Sequence, residues 1–291
     1  MADSPKHLAP ARPLHRTHLA LSALRTAFGA AGRLAPGMTA RAAEALFFRT
    51  PRGAARAEEV AFLKTANRFT VSAAGERVAG YHWGGSGPLV VFAHGWLSSA
   101  GRVAPLAKAI LAVGGQVATF DAPGHGESTG WRSSMPEFAA ALRTVVAQVG
   151  PAHALVGHSL GGAASVFAVS RGLPVNRLVT IAAPADIAGW AHRFRDLLGL
   201  SSDVYARMQR NAEQRLAITW SDLDIPIAAR DLRVPGLVVH DLDDPDVPWQ
   251  DGETLSSAWP GAEFMSTTGL GHRAILRDPE VIRRVVEFVT R

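Results

Sequence analysis

At 291 residues, with 47% apolar and 19% charged side chains, the composition is that of a soluble globular protein long enough for one large α/β domain, not of a disordered or fibrous chain. No apolar run reaches the ~18 residues that cross a bilayer, and the first residues lack an apolar secretory core with a small-residue cleavage site, so a cytoplasmic protein is expected. The absence of cysteine excludes disulfides, a thiol nucleophile and thiolate metal ligation, and the net charge of +5 lies wholly in residues 1–60, which hold nine Lys/Arg against four Asp/Glu.

That basic segment carries Lys6, Arg12, Arg16 and Arg25 among many alanines, with weak amphipathic spacing at Leu21, Leu24 and Phe28 and again around Leu46 and Phe48. Residues 1–65 are expected to form a basic helical extension, a pair of helices packed on the flank of the domain at residues 66–291. An anionic membrane surface is the other contact its charge suggests, but the apolar face is thin for an interfacial anchor. Nucleic-acid binding is not expected, because no basic cluster is interleaved with aromatic residues.

Beyond residue 60 the pattern becomes regular. Asn67 to Ala73 and Arg77 to Trp83 alternate in polarity and meet at Ala74-Gly75, which predicts an antiparallel hairpin. A buried strand at Leu89 to Ala93, a helix from Gly101 to Val113 and a strand from Val117 to Phe120 come next. The helix from Met135 to Val149, opened by Ser133 or Ser134, leads to the short strand Ala154-Leu155-Val156, and a helix from Ala163 to Leu173 follows. Strands at Arg177 to Ala182, Gly236 to His240 and Glu263 to Ser266 precede a last helix, Pro279 to Val289. Strands alternating with helices predict an α/β fold, a mostly parallel central sheet flanked by helices on both faces.

Residues 187–234 break this rhythm. Trp190, Phe194, Leu197 and Leu198 mark one amphipathic helix, and Tyr205, Met208 and Ala212 a second. A helical insertion between two sheet strands lies at their C-terminal edge, where open α/β sheets bind ligands, so this segment is expected to form a cap over the pocket. A helical layer that completes the core is the alternative.

Chemistry concentrates in Gly157-His158-Ser159-Leu160-Gly161. A serine between glycines, after a strand and before a helix, sits on a sharp turn with its hydroxyl thrust outward. A serine nucleophile needs a base, a group that orients the base, and donors for the oxyanion. His272 follows the last strand in Gly269-Leu270-Gly271-His272, and Asp244 follows the preceding one in an acidic loop running from His240 to Pro248. Asp241, Asp243 and Asp246 crowd the same loop, and Asp186 is a further candidate acid after an earlier strand.

Taken together, residues 66–291 resemble the α/β-hydrolase superfamily. The order Ser159, Asp244, His272 is that family's order; Phe92-Ala93-His94-Gly95-Trp96 resembles its first oxyanion loop; Asp121 to Ser128 resembles its D-x-x-G-x-G-x-S turn. The acid followed three residues later by Val247-Pro248 is also similar to its acid-bearing loop, which favours Asp244 over the other carboxylates. The resemblance implies Ser159 as nucleophile, His272 as general base, Asp244 as its orienting acid, and the backbone N–H groups of Trp96 and Leu160 as oxyanion donors. The Trp96 ring either walls the acyl pocket or packs in the core.

The implied activity is that of a serine hydrolase cleaving carboxylic esters of small to medium apolar substrates through an acyl-enzyme, with a small-molecule ester as its partner. Thioester, amide, lactone and carbon–carbon hydrolysis use the same triad, and a small-molecule-binding protein with slow or absent hydrolysis is the alternative on the same fold. Serine at the elbow argues against a dehalogenase or epoxide hydrolase, which attack through aspartate. No cofactor or metal is expected: Pro245 occupies a ligand position that a calcium loop requires, and no metal-binding histidine spacing occurs. His158 is expected to pack beneath the elbow, His94 and His125 to hydrogen-bond loop backbone, and His192 to face solvent. Oligomeric state is not legible.

Overall fold

The computed structural model describes residues 14–291, with side chains from residue 21 onward, so Lys6, Arg12 and the Arg16 side chain lie outside the described residues. The first helices are α1 (Leu14–Leu34), α2 (Pro36–Phe47) and α3 (Ala57–Leu63), followed by strands β1 (Asn67–Ala73), β2 (Glu76–Trp83) and β3 (Leu89–Ala93). Then come α4 (Ala104–Ala112), β4 (Gln116–Phe120), α5 (Met135–Val149), β5 (Ala154–His158), α6 (Leu160–Ser170) and β6 (Arg177–Ile181). The remainder comprises α7 (Ile187–Leu198), α8 (Ser202–Leu216), α9 (Ile225–Arg230), β7 (Gly236–Asp241), α10 (Trp249–Ala258), β8 (Glu263–Thr267), α11 (Gly271–Ala274) and α12 (Pro279–Val289).

Among the described residues eight strands form one sheet in the order β1-β2-β4-β3-β5-β6-β7-β8. The hairpin β1-β2 and the β2-β4 pair are antiparallel, whereas β3 to β8 are all parallel. After β3 the chain pairs β4 on one side and then β5 on the other, the strand-order reversal beside which open α/β sheets bind ligands. The register aligns Ala93 with Gly157, His158 with Ile181 and Asp241 with Thr267, so β3, β5, β6, β7 and β8 end along one edge.

Period-2 alternation sends Val90, Phe92, Val156, Val179, Ile181, Leu237 and Val239 to one face, where they share a core with α4 and α12. α5 and α6 pack together elsewhere on the sheet, α5 against β1 and α6 against β5. In α12 the Asp278 side chain caps the amides of Glu280 and Val281, Pro279 opens the first turn, and Val281, Val285, Phe288 and Val289 are buried along one stripe.

Two helix starts differ from the sequence reading. The helix expected from Gly101 is a 3-10 turn, Ala100–Val103, before α4 begins, because Pro105 is comfortable only in a first helical turn. α6 starts at Leu160, three residues early, so Gly161 and Gly162 lie inside its first turn despite their poor helix propensity. Of the two serines offered for the start of α5, Ser134 is the cap.

The chain divides into two compact units. One joins the described residues up to Phe47 with Trp190–Ala212; the other holds Phe48–Gly189 and Glu213–Arg291, including the whole sheet. In the first unit Phe28, Ala40, Ala43, Leu46 and Phe47 share a core with Phe194, Leu198, Val204 and Met208. On the stripe expected on α7, Leu198 is therefore buried and Phe194 half-buried, while Trp190 and Leu197 remain 38% and 48% exposed. In the second unit α9 packs on α6 and α10, so this last helix of the segment expected to form the cap belongs to the flanking layer. Among the described residues no helix is long and apolar enough to cross a membrane.

The α12 stripe carries a direct test. Phe288 is 1% exposed, and Phe288→Ala is expected to lower unfolding free energy by about 3–5 kcal/mol in denaturant titration, against little effect for the exposed Arg283→Ala.

Candidate active site

Ser159 follows the last residue of β5 and has φ +52° and ψ −127°, a conformation costly for any residue with a Cβ. Its amide donates to Ile181 O at 2.9 Å, and its carbonyl accepts from Gly162 N at 2.8 Å, so backbone bonds hold the turn on both sides. The flanking glycines are obligatory on steric grounds. A Cβ on Gly157 would lie 2.5 Å from Gly161 O, and one on Gly161 would lie 2.4 Å from both Ala93 O and His94 O. Among the described residues the Ser159 hydroxyl makes no hydrogen bond.

The loops after β7 and β8 carry the other two predicted residues, and the structure brings them together. His272 Nδ1 lies 2.8 Å from Asp244 Oδ2, and the Asp244 side chain is fully buried. An ionised carboxylate only accepts, so Nδ1 carries the proton and Nε2 keeps a lone pair. Asp244 Oδ1 accepts the amides of Asp246 and Val247 at 2.8 and 2.9 Å, which is the physical content of the Asp-x-x-Val spacing. Burial pushes the Asp244 carboxyl up, but the His240 ring 3.6 Å away and hydrogen bonds from His272 and Val247 N outweigh it and hold the group well below the usual carboxylate range.

The competing carboxylates have other partners. Asp241 accepts from Thr267 and from the amides of Asp243, Leu270 and Gly271, and these bonds overcome its burial to lower its pKa. Asp243 takes the Gly269 amide, Asp246 pairs with Arg273, and Asp186 accepts the Gly189 amide at the start of α7. Neither the backbone bonds of Asp241 nor the His158 contact described below was legible in the sequence. Both depend on loop backbone folded back across long sequence separations, and no residue spacing reports that.

Trp96 and Leu160 lie on either side of the elbow, in the loop after β3 and at the first position of α6. Among the described residues neither amide donates to a protein acceptor, so both N–H groups are available to an incoming oxygen, the Leu160 one at the positive end of a helix dipole. A Cβ on Gly95 would lie 2.8 Å from Ser159 Cβ, which shows how tightly the two loops abut.

Three buried histidines pin these loops. His94 Nδ1–H donates to Gly95 O at 2.7 Å while its Nε2 accepts from Ala122 N at 3.0 Å. His125 Nδ1–H donates to Pro123 O at 2.9 Å while its Nε2 accepts from Leu97 N at 3.2 Å, holding Leu97 at φ +52° just beyond Trp96. His158 Nε2–H donates to the carbonyl of His272 at 2.8 Å, the two rings lying 4.8 Å apart. Burial is the main reason all three titrate low, His94 at about 4 and His125 and His158 at about 3, with a neighbouring histidine adding to the last two. The Trp96 ring packs edge-on to His125 at 5.3 Å and stacks near Phe138, and His192 is exposed beside Tyr205.

The D-x-x-G-x-G-x-S turn serves as a brace. Asp121 accepts Ala100 N at 2.7 Å, Glu127 N at 3.0 Å and the Tyr81 hydroxyl at 3.1 Å, tying the oxyanion loop's far end to β4. Among the described residues no group of three or more His, Cys, Asp or Glu is placed to hold a metal ion.

Comparison with known protein families matches residues 90–285 to the one described as Alpha/beta hydrolase family. A search of curated proteins finds no match. An esterase from Exiguobacterium antarcticum is similar in structure, with a TM-score of 0.60 at 17% identity, covering 76% of this chain and 99% of its own. An enol-lactonase from Burkholderia xenovorans gives 0.59 at 18% identity over 77% of this chain and 100% of its own. A bromoperoxidase from Bacillus anthracis gives 0.58 at 17% identity over 77% and 99% respectively. At these identities the likeness is one of fold.

The three low-titrating histidines make stability depend on pH. Unfolded histidines take up protons below about 6.5, whereas these stay neutral in the fold until about 4 to 3, so stability is full above 6.5 and is lost as pH falls. Each contributes a slope on the order of 1 kcal/mol per pH unit across that window. Urea midpoints measured from pH 7 to 4.5 should fall steadily, and His125→Gln should flatten the slope; a pH-independent midpoint would contradict the assignment.

Proposed function

The chain belongs to the alpha/beta hydrolase family, and from that membership we propose that it is a serine hydrolase cleaving carboxylic esters of small to medium apolar substrates. The observation that carries this reading is the 2.8 Å pairing of His272 Nδ1 with the buried Asp244 carboxylate, on segments that follow strands ending along the same sheet edge as β5. A histidine so paired presents Nε2 as a base, and a serine held at positive φ presents its hydroxyl clear of the sheet.

In this reading Ser159 Oγ attacks the ester carbonyl as His272 Nε2 takes its proton. The oxyanion forms between the N–H groups of Trp96 and Leu160, and the imidazolium is stabilised by Asp244. Collapse breaks the ester C–O bond, and the leaving alkoxide takes the proton from His272. Water then attacks the acyl-enzyme with His272 as base, giving the acid and restoring the Ser159 hydroxyl. Ser159 and His272 are close to buried, which favours apolar groups beside the ester over highly solvated ones. The same machinery opens thioesters, amides and lactones, so the leaving group is settled by turnover across an acyl-chain series of activated esters, thioesters and amides.

A fluorophosphonate probe should modify Ser159, and Ser159→Ala should lose about six orders of magnitude in turnover of p-nitrophenyl esters. Asp244→Asn leaves the base in the wrong tautomer and should lower kcat by about 10⁴-fold. Undiminished hydrolysis by Ser159→Ala, or a purified protein that binds esters and turns over none of any chain length, would overturn the reading.

A further inference from the structure

His272 stands where the fold alone holds it poorly. It lies in the four-residue helix α11, too short to support itself, just after β8, which is the sheet's edge strand. Ser159, by contrast, follows the central strand β5. A base at the margin has to be anchored by something other than its own element.

The carboxylate of Asp241, fully buried at the end of β7, supplies one anchor. Its Oδ1 accepts the amides of Asp243 at 3.0 Å and Gly271 at 2.9 Å; its Oδ2 accepts the Thr267 hydroxyl at 2.6 Å and the Leu270 amide at 3.2 Å. These four bonds match the four acceptor sites of an ionised carboxylate. Two of the donors, Leu270 and Gly271, immediately precede His272. Gly269 and Gly271, at φ +76° and +63°, curl the chain around the carboxylate so that these amides converge. From the other side, His158 Nε2–H donates to the carbonyl of His272 itself, while His158 Nδ1 is buried without a partner among the described residues, so among them that bond is the ring's one hydrogen bond.

We infer that Asp241 and His158 are positioning residues that clamp the His272 backbone from both sides and so fix the approach of its imidazole to Ser159. The inference rests on the serine-hydrolase reading above, and it adds two residues to the machinery that touch neither substrate nor the reacting atoms. The clamp links the nucleophile's turn to the base's loop, because His158 is the residue immediately before Ser159. Asparagine cannot replace Asp241: whichever way the amide turns, its NH₂ group meets the N–H of Leu270 or Gly271. Glutamine can replace His158, since its amide nitrogen reaches roughly where Nε2 sits and the orphaned Nδ1 loses nothing.

Amide exchange over residues 267–274, read by mass spectrometry beside steady-state kinetics, tests this. Asp241→Asn should speed exchange at Leu270 and Gly271, lower kcat by about 10²-fold with KM unchanged, and slow phosphonate labelling of Ser159 by a similar factor. A folded Asp241→Asn protein with wild-type kcat would overturn the clamp, whatever its melting temperature. Should that variant not fold, the pair at 158 decides: His158→Phe should lose kcat and His158→Gln recover most of it, and equal activity of the two would overturn the inference. A wild-type protein inert to phosphonates and esters would instead bring down the hydrolase reading, and the clamp's catalytic role with it, while the exchange difference in Asp241→Asn persisted.

Discussion

The site depends on a contact between backbones. The turn at Ser159 brings β5 and α6 together so closely that no Cβ fits at Gly157 or Gly161, and the loop after β3 abuts it so closely that none fits at Gly95 without striking Ser159. That crowding is what holds a serine at positive φ, a strain of roughly 1–3 kcal/mol that the surrounding hydrogen bonds sustain. Because β5 lies between β3 and β6, the strained turn is fixed from both sides, by pairing of Gly157 with Ala93 and of His158 with Ile181. Strand ends in register then place the loops of Trp96, Asp244 and His272 along the same edge.

Histidine illustrates how environment assigns chemistry. His94, His125 and His158 are buried, carry one proton each, and spend ring nitrogens on backbone of the loops around Ser159. Burial with no carboxylate in hydrogen-bonding contact keeps them neutral, so they serve as fixed donors and acceptors. His272 alone of these four has a carboxylate on Nδ1, and in the proposed mechanism that hydrogen bond turns its Nε2 lone pair to use as the base. Asp244 in turn remains ionised despite its burial because three hydrogen bonds converge on it.

Much of this was legible because it is local. The hairpin turn at Ala74-Gly75, a serine cap for α5, and the parallel strands follow from residue preferences within a few positions. Asp244 was favoured over Asp241, Asp243 and Asp246 by the resemblance of its spacing to Val247-Pro248, and in the structure its own carboxylate folds back on the amide three residues later. The start of α6 was not legible, since tertiary crowding at the elbow overrides the low helix propensity of Gly161 and Gly162. Nor was the shared core of α2 with α7 and α8, whose partners lie some 150 residues apart, or the roles of Asp241 and His158, which act on backbone amides and carbonyls that carry no side-chain signature.

The central claim is that Ser159, strained at the elbow, attacks a carbonyl whose oxygen is received by two backbone amides. A structure of the protein after reaction with a small alkyl phosphonofluoridate, a mimic of the tetrahedral intermediate, tests it most directly. The account predicts phosphorus bonded to Ser159 Oγ, with the phosphoryl oxygen about 2.7–3.1 Å from the nitrogens of both Trp96 and Leu160. Phosphorus on another residue, or on Ser159 with its oxygen turned away from those amides, would contradict it.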